Sequence, residues 1–245
     1  MPHNEYIREI ENSETAYLFI HGIIGSPDHF KDLIELVPKK CSIYNLLLDG
    51  HGKKIKDFAQ TSMKKWEKQV EDTLKYLDNK YQNIIIVGHS MGTLLSINTA
   101  LLYPKKIKAL FLLSVPLKVA VKPSALSDAL KVIFDKIGID DVTADAAKKG
   151  HSIKTDQHII KYVSWIPRYI ELFHKIYETD KILGTLTIPT IAFQSLQDEL
   201  VSPKTYEMLK EYEIIETILL ENSGHYYYTD EDYAIILEKF KEIII

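Results

Sequence analysis

The sequence predicts an α/β fold with a mostly parallel central sheet, helices on both faces, and a helical insertion late in the chain. Three observations lead there. Short apolar, β-branched runs alternate with amphipathic helical stretches along most of the chain, as strand–helix units of a parallel sheet do. One of these runs, residues 84–87 (Ile-Ile-Ile-Val), passes directly into Gly88-His89-Ser90-Met91-Gly92 and then into a helical pattern. From about residue 116 to residue 187 the alternation stops, and only helical segments joined by polar turns can be read.

In chain order, residues 17–20 (Tyr-Leu-Phe-Ile) read as a strand ending in His21-Gly22. Residues 30–37 read as a helix, with Asp28 as a candidate cap, and residues 43–48 as a strand. Residues 62–81 are the clearest helix: Trp66, Val70, Leu74 and Leu77 recur on one face, and Ser62 is a suitable N-cap. After the strand at 84–87 a helix is expected over 93–103, then a buried strand over 107–114. Pro167 is placed to begin a helix to about residue 183, with Tyr169, Phe173 and Ile176 on one face. Strands follow at 190–194 and 214–220, and a helix over 233–243 closes the chain. The final run 243–245 (Ile-Ile-Ile) reads as docked core rather than as a membrane anchor.

Composition bounds the function. At 245 residues the chain can build one sizeable α/β domain with an insertion, and 46% hydrophobic residues supply its core. The net charge of −4, without a basic stripe, argues against a nucleic-acid partner. Cys41 is the single cysteine, so no internal disulfide or thiolate metal cluster is possible, and it reads as a small core residue. The nine histidines are scattered without ligand spacing, so no metal is expected. Residues 1–11 are charged and lack the apolar region of a signal peptide, and no apolar run is long enough to span a membrane. A reducing cytoplasm is the expected location. The sequence leaves the oligomeric state open.

The chemistry concentrates around Ser90. A strand that turns this sharply into a helix forces the serine into a strained conformation with its hydroxyl outward, and Gly88 and Gly92 let neighbouring chain pass close by. The helix N-terminus beside it favours negative charge. A serine hydroxyl needs a base, and the base needs an acid to orient it. In α/β-hydrolases, whose nucleophile turn this one resembles, nucleophile, acid and base follow in that order along the chain. His21 and His51 precede Ser90. His225, in Glu221-Asn222-Ser223-Gly224-His225, follows the strand at 214–220 and is the expected base; the alternative is a histidine that merely caps a strand end. Asp198 follows the strand at 190–194 and is the expected acid, with Glu199 and Asp180 as rivals. The oxyanion is expected on the backbone N–H groups of Met91 and Ile23, whose side chains would face the substrate. His21 is expected to hold its loop by a hydrogen bond.

With these residues the sequence resembles α/β-hydrolases of the bacterial carboxylesterase and monoacylglycerol-lipase-like type. The resemblance runs the length of the chain. It is carried by His21-Gly22-Ile23-Ile24-Gly25-Ser26-Pro27, Asp49-Gly50-His51-Gly52, Thr61-Ser62-Met63-Lys64-Lys65-Trp66, Gly88-His89-Ser90-Met91-Gly92, Ile166-Pro167, Ile188-Pro189-Thr190, Ser195-Leu196-Gln197-Asp198 with Val201-Ser202-Pro203, and Ser223-Gly224-His225. Ser195 stands where the family commonly carries glycine, and the Asp49–Gly52 turn is shorter than many family versions. Both bear on the pocket rim.

The resemblance implies an α/β-hydrolase core at 1–115 and 188–245, with a helical cap inserted at 116–187. It implies hydrolysis of a small-molecule carboxylic ester of short to medium acyl chain through a Ser90–His225–Asp198 triad and an acyl-enzyme, without a cofactor. Ile24, Trp165 and Tyr169 are the expected pocket residues. The cap aromatics either fasten the cap to the core or line the channel. Monoacylglycerol lipase and thioesterase are alternatives, and a non-catalytic ligand-binding homologue is the alternative of another class. Epoxide hydrolases and haloalkane dehalogenases need a carboxylate where this chain has Ser90.

Overall fold

The computed structural model describes residues 3–244. Met1 and Pro2 of the expected non-signal N-terminus, and Ile245 of the closing isoleucine run, lie outside the described residues. Seven strands form one sheet: β1 (Tyr6–Arg8), β2 (Thr15–Ile20), β3 (Ser42–Asn45), β4 (Asn83–His89), β5 (Ile107–Leu113), β6 (Thr190–Ser195) and β7 (Ile215–Leu220), in the spatial order β1-β3-β2-β4-β5-β6-β7. Only β1 runs antiparallel, against β3; every other neighbouring pair is parallel. The helices are α1 (Lys31–Leu36), α2 (Ile55–Ala59), α3 (Met63–Lys80), α4 (Met91–Ala100), α5 (Pro123–Phe134), α6 (Val142–Gly150), α7 (Ile166–Ile182), α8 (Lys204–Leu209) and α9 (Asp230–Glu242).

The period-2 alternation of strand side chains divides the interior into two cores. On one side Ala16, Leu18 and Ile20 of β2 and Ile84 and Ile86 of β4 pack beneath α3, α4 and α7, which contribute Trp66, Val70, Leu74, Leu77, Leu94 and Ile176. On the other side Tyr17, Phe19, Ile85, Val87 and Phe111 pack against Phe30 and Leu33, and against Ile236 and Phe240 of α9. Central strand β4 is covered on both faces, so its sequence is a continuous apolar run rather than an alternating one. Each of its buried isoleucines contributes about 1.5–3 kcal/mol.

Most elements fall where the sequence places them, and the differences have local causes. β3 ends at Asn45 instead of continuing to Leu48, because the Gln69 side chain takes over, donating to the Leu47 carbonyl (3.0 Å) and accepting from the Asp49 N–H (2.9 Å). The helix expected over 30–37 divides into a 3-10 turn (Pro27–Phe30) and α1. Its cap is Ser26, whose hydroxyl accepts from the Asp28 N–H, rather than Asp28. α4 begins at Met91, two residues earlier than expected, with Ser90 itself as its N-cap. β1, α2 and α8 are too short to leave a periodic signal in the sequence. Ser62 caps α3 as expected, and the four α3 residues named from periodicity are buried. Ile243 and Ile244 pack against the second core.

Residues between β5 and β6 fold into α5, α6, a 3-10 segment (Ile159–Trp165) and α7. The face expected for α7 needs correction. Tyr169 and Ile176 turn inward, but Phe173 is 53% exposed. The buried face is centred on Arg168, Leu172, Lys175 and Thr179. Arg168 and Lys175 lay their aliphatic stems along the core and end in ion pairs, Arg168 with Glu171 and Lys175 with Glu67 and Glu178. Two cations therefore hide the inward face from a hydrophobicity pattern.

The close approach of β2 and α4 fixes the turn after β4. A Cβ on Gly92 would lie 2.0 Å from the Ile20 carbonyl oxygen. Gly92→Ala is expected to lower the unfolding free energy by about 3 kcal/mol, because backbone must part from backbone. Gly184→Ala, where the nearest atom would be 3.7 Å away, is expected to change it by no more than about 0.5 kcal/mol. Urea titration of both variants distinguishes a required glycine from an incidental one; equal stabilities would contradict the close approach.

Candidate active site

Ser90 leaves the end of β4 at φ 52°, ψ −123°, a conformation that costs a non-glycine residue about 1–3 kcal/mol. Three hydrogen bonds hold it there. The Ser90 N–H donates to the Leu113 carbonyl of β5 (2.9 Å), and the Ser90 carbonyl accepts from the N–H (2.9 Å) and hydroxyl (2.7 Å) of Thr93. The serine is 7% exposed.

His225 lies beyond β7 and Asp198 beyond β6, so all three expected side chains meet at the C-terminal edge of the parallel strands. The Ser90 hydroxyl oxygen is 3.1 Å from His225 Nε2, and His225 Nδ1 is 2.8 Å from Asp198 Oδ2. With Nδ1–H donating to the carboxylate, Nε2 is left free to accept the serine proton. The other Asp198 oxygen, Oδ1, accepts from the N–H groups of Leu200 and Val201, both at 2.8 Å, so the carboxylate is fixed at both ends. Both Asp198 and His225 are buried. Glu199, the rival for the acid position, instead accepts from the backbone N–H of His225 (2.9 Å). Asp180, the other rival, pairs with Lys118.

The loop after β2 passes over the serine. A Cβ on Gly22 would be 2.9 Å from the Ser90 Cβ, which puts Ile23 and Ile24 at the rim of the site. Met91 heads α4, where an N–H has no carbonyl one turn earlier to receive it. Ile24 adopts φ 52°, a genuine outlier for a β-branched residue, and its carbonyl accepts from the Ser152 N–H (2.9 Å). His21 holds this loop as expected: Nδ1 lies 2.9 Å from the Gly22 carbonyl, and Nε2 accepts from the Leu48 N–H (3.1 Å).

Two apolar cavities share the wall formed by Ile24 and Tyr169, and the first of them reaches His225. The first, about 300 Å³, is lined by His225, Ile23, Ile24, Leu126, Tyr169 and Tyr226, among others. The second, about 240 Å³, shares Ile24 and Tyr169 and adds Tyr162 and Trp165. Ile24, Trp165 and Tyr169 thus all line cavities. Trp165 is also tied to the core, its indole N–H donating to the Ile55 carbonyl (3.1 Å). A larger, open hollow of about 710 Å³ among His3, Lys148 and Lys154 contains none of the triad residues. Tyr226, which as one of three tyrosines after His225 reads in the sequence as a packing or solvent-facing residue, meets the His225 ring edge-on at 4.8 Å and walls the first cavity.

Further buried histidines lie near His225 and along the loop after β2. The rings of His29 and His89 pack at a tilt with centroids 3.9 Å apart, and His89 lies 5.0 Å from His225. His21 and His51 meet edge-on at 4.6 Å. Burial pushes the imidazole of His21 down to about 4 and those of His51 and His89 well below their ordinary value, so these rings are neutral near pH 7. Nothing in this spacing distinguished them in the sequence from surface histidines. Among the described residues, no three or more histidine, cysteine or acidic side chains are grouped to hold a metal ion, and no helix is long and apolar enough to cross a membrane.

Residues 11–231 match the family described as serine aminopeptidase, S33. The thermostable monoacylglycerol lipase of Bacillus sp. strain H-257 is 26% identical over 245 residues, covering 95% of this chain and 91% of its own. Among solved structures, one described for LipS and LipT, two metagenome-derived lipolytic enzymes, superposes with a TM-score of 0.73 at 20% identity, over 97% of this chain and 95% of its own. The monoacylglycerol lipase of Paleococcus ferrophilus gives a TM-score of 0.66 at 16% identity, over 98% and 99%. These two likenesses are likenesses of fold.

The neutral histidines set an acid limit on the fold. The unfolded chain gains protons at His21, His51 and His89 as the pH drops below the ordinary value of 6.5, whereas folded His21 resists protonation to about 4. The unfolded state then binds more protons, so stability falls with falling pH through that window. Thermal melts between pH 7 and pH 4 should show a declining Tm. A flat Tm over that range would show that these rings are not held neutral.

Proposed function

The chain belongs to the serine aminopeptidase S33 family of α/β-hydrolases, and we propose that within it the chain is a serine esterase, hydrolysing carboxylic esters of short to medium acyl chain. The observation that carries this reading is the hydrogen-bonded line from Asp198 through His225 to Ser90 at the sheet's C-terminal edge. Ser90 attacks the ester carbonyl while His225 Nε2 takes its proton, then returns it to the leaving alcohol. Asp198 holds the imidazole in the tautomer that accepts at Nε2 and stabilises the imidazolium that forms. The backbone N–H groups of Ile23 and Met91 receive the developing oxyanion, each worth on the order of 10²–10³ in rate. Water then hydrolyses the acyl-enzyme with His225 again as base. No step needs a cofactor.

Two features favour an ester over a peptide with a free amino terminus. Such a peptide would require an unengaged carboxylate for its ammonium group. Of the two carboxylates lining the first cavity, Asp128 is taken up by the Thr143 hydroxyl and Lys131, and Glu199 directs one oxygen to the His225 N–H. The walls are otherwise largely apolar, and the volume of about 300 Å³ is at the small end for ligand cavities, which suits a short to medium chain. Residues 116–187 act as a cap in this reading, covering Ser90 and shaping the acyl pocket with Ile24, Trp165 and Tyr169. A monoacylglycerol as the ester is favoured by the Bacillus relative, which aligns over nearly the whole chain.

Ser90→Ala is expected to abolish ester hydrolysis without unfolding the protein. Asp198→Asn is expected to lower kcat by about 10³–10⁴-fold, since the amide favours the wrong histidine tautomer. Glu199→Gln should be far milder. Steady-state kinetics on p-nitrophenyl esters of increasing chain length, with monoacylglycerols and acyl-CoA thioesters alongside, test both the residues and the substrate. Unimpaired turnover by purified Ser90→Ala would rule out the mechanism.

A further inference from the structure

We propose that His89 and Glu199 are positioning residues that grip the main chain of His225 from its two sides and thereby set where its imidazole lies. The inference rests on reading Ser90, Asp198 and His225 as an acyl-transfer triad. His225 sits between β7 and α9, outside any strand or helix, so no regular hydrogen-bond ladder fixes its peptide groups. Two side chains take that task. The His225 N–H donates to Glu199 Oε2 (2.9 Å), and the His225 carbonyl accepts from His89 Nε2 (3.0 Å).

The positions of the two partners matter more than the bonds alone. His89 is covalently next to Ser90, and Glu199 is covalently next to Asp198. The base is therefore tied to the nucleophile twice, through its ring and through its carbonyl, and to the acid twice, through its ring and through its N–H. With both peptide groups held, only the two side-chain torsions of His225 remain, and the bonds to Asp198 and Ser90 fix those.

Packing around both partners fits the same purpose. A Cβ on residue 224 would fall 2.5 Å from Glu199 Oε1 and 2.9 Å from Oε2, so the carboxylate as it stands packs directly against Gly224. On the opposite side, the His29 ring packs at a tilt against the His89 ring, and a Cβ on Gly22 would be 3.3 Å from His89 Nδ1. His89 is buried and neutral, so it donates to His225 without setting a positive charge beside the imidazolium formed during turnover.

Paired substitutions separate the grip from simple packing. His89→Gln retains an N–H donor near the Nε2 position, whereas His89→Phe retains a ring and loses the donor. Glu199→Gln retains an acceptor, whereas Glu199→Leu loses it. kcat and KM on one p-nitrophenyl ester, together with Tm, are measured for all four, with Ser90→Ala as the reference. The Phe and Leu variants are expected to lose on the order of 10–10² in kcat, the cost of a base displaced by a fraction of an ångström to an ångström. The Gln variants should recover most of that loss, and KM should change less than kcat in the His89 pair. If both members of each pair have the same kcat, whether wild-type or equally reduced, the proposal is overturned. Should His89→Phe fail to fold, the half-buried Glu199 pair decides alone. An active Ser90→Ala would instead sink the triad reading itself, so the two failures can be told apart.

Discussion

Much of the site depends on one steric constraint: the turn between β4 and α4 must pass within touching distance of the end of β2. Gly92 has no space for a Cβ against the Ile20 carbonyl. That approach brings the Gly22–Ile24 loop over Ser90, sets the α4 N-terminus against the serine, and holds Ser90 at positive φ. The strain in Ser90 is stored against the burial of the surrounding sheet. β4 is buried on both faces, and a parallel sheet resists local adjustment because helices cover it above and below. The site is therefore rigid where Ser90 stands, and its hydrogen-bond partners are brought to it on loops.

The residues between β5 and β6 are fastened to the core by polar bonds as well as by the apolar packing of Ile153, Trp165 and Ile176. Arg168 reaches the carbonyls of Ala59 and Thr61, Glu171 accepts from the Met63 N–H (2.8 Å), and Ser152 links the Ile24 carbonyl to the Gly52 N–H. These ties bring the segment down at α7 and at the loop after β2. The two cavities lie between those anchor points, with Ile24 and Tyr169 common to both. Ile24 thus belongs to three structures at once: the rim of the site, the cavity wall, and the attachment of the segment between β5 and β6. Its strained backbone is the conformation that lets one residue serve all three.

Much of this was legible in the sequence, and the rest was hidden for physical reasons. The strands were readable because a parallel sheet buried on both faces leaves unbroken apolar runs, and α3 because its apolar residues keep a 3.6-residue period. The side chains of Ser90, Asp198 and His225 were readable because a tight turn and two strand ends restrict where chemistry can stand, and the structure brings these three together. The inward face of α7 was not readable, because Arg168 and Lys175 occupy it with their stems buried and their charges paired. The work of Glu199 was hidden because a carboxylate next to another carboxylate looks like a competitor for its role. Its actual partner is a backbone N–H 26 residues away, a bond that leaves no trace in residue type. His89 was hidden in the same way: within Gly-x-Ser-x-Gly its position is nominally free, and only the fold shows that its ring reaches the loop that carries His225.

The central claim is that Ser90 is an activated nucleophile. Reaction of the wild-type protein with a fluorophosphonate, followed by intact mass measurement and peptide mapping, tests it most directly. The account predicts one phosphonyl group per chain, attached to the Ser90 hydroxyl, with hydrolytic activity lost in step with labelling. A protein that hydrolyses esters yet remains unlabelled, or that carries the label on a residue other than Ser90, would contradict it.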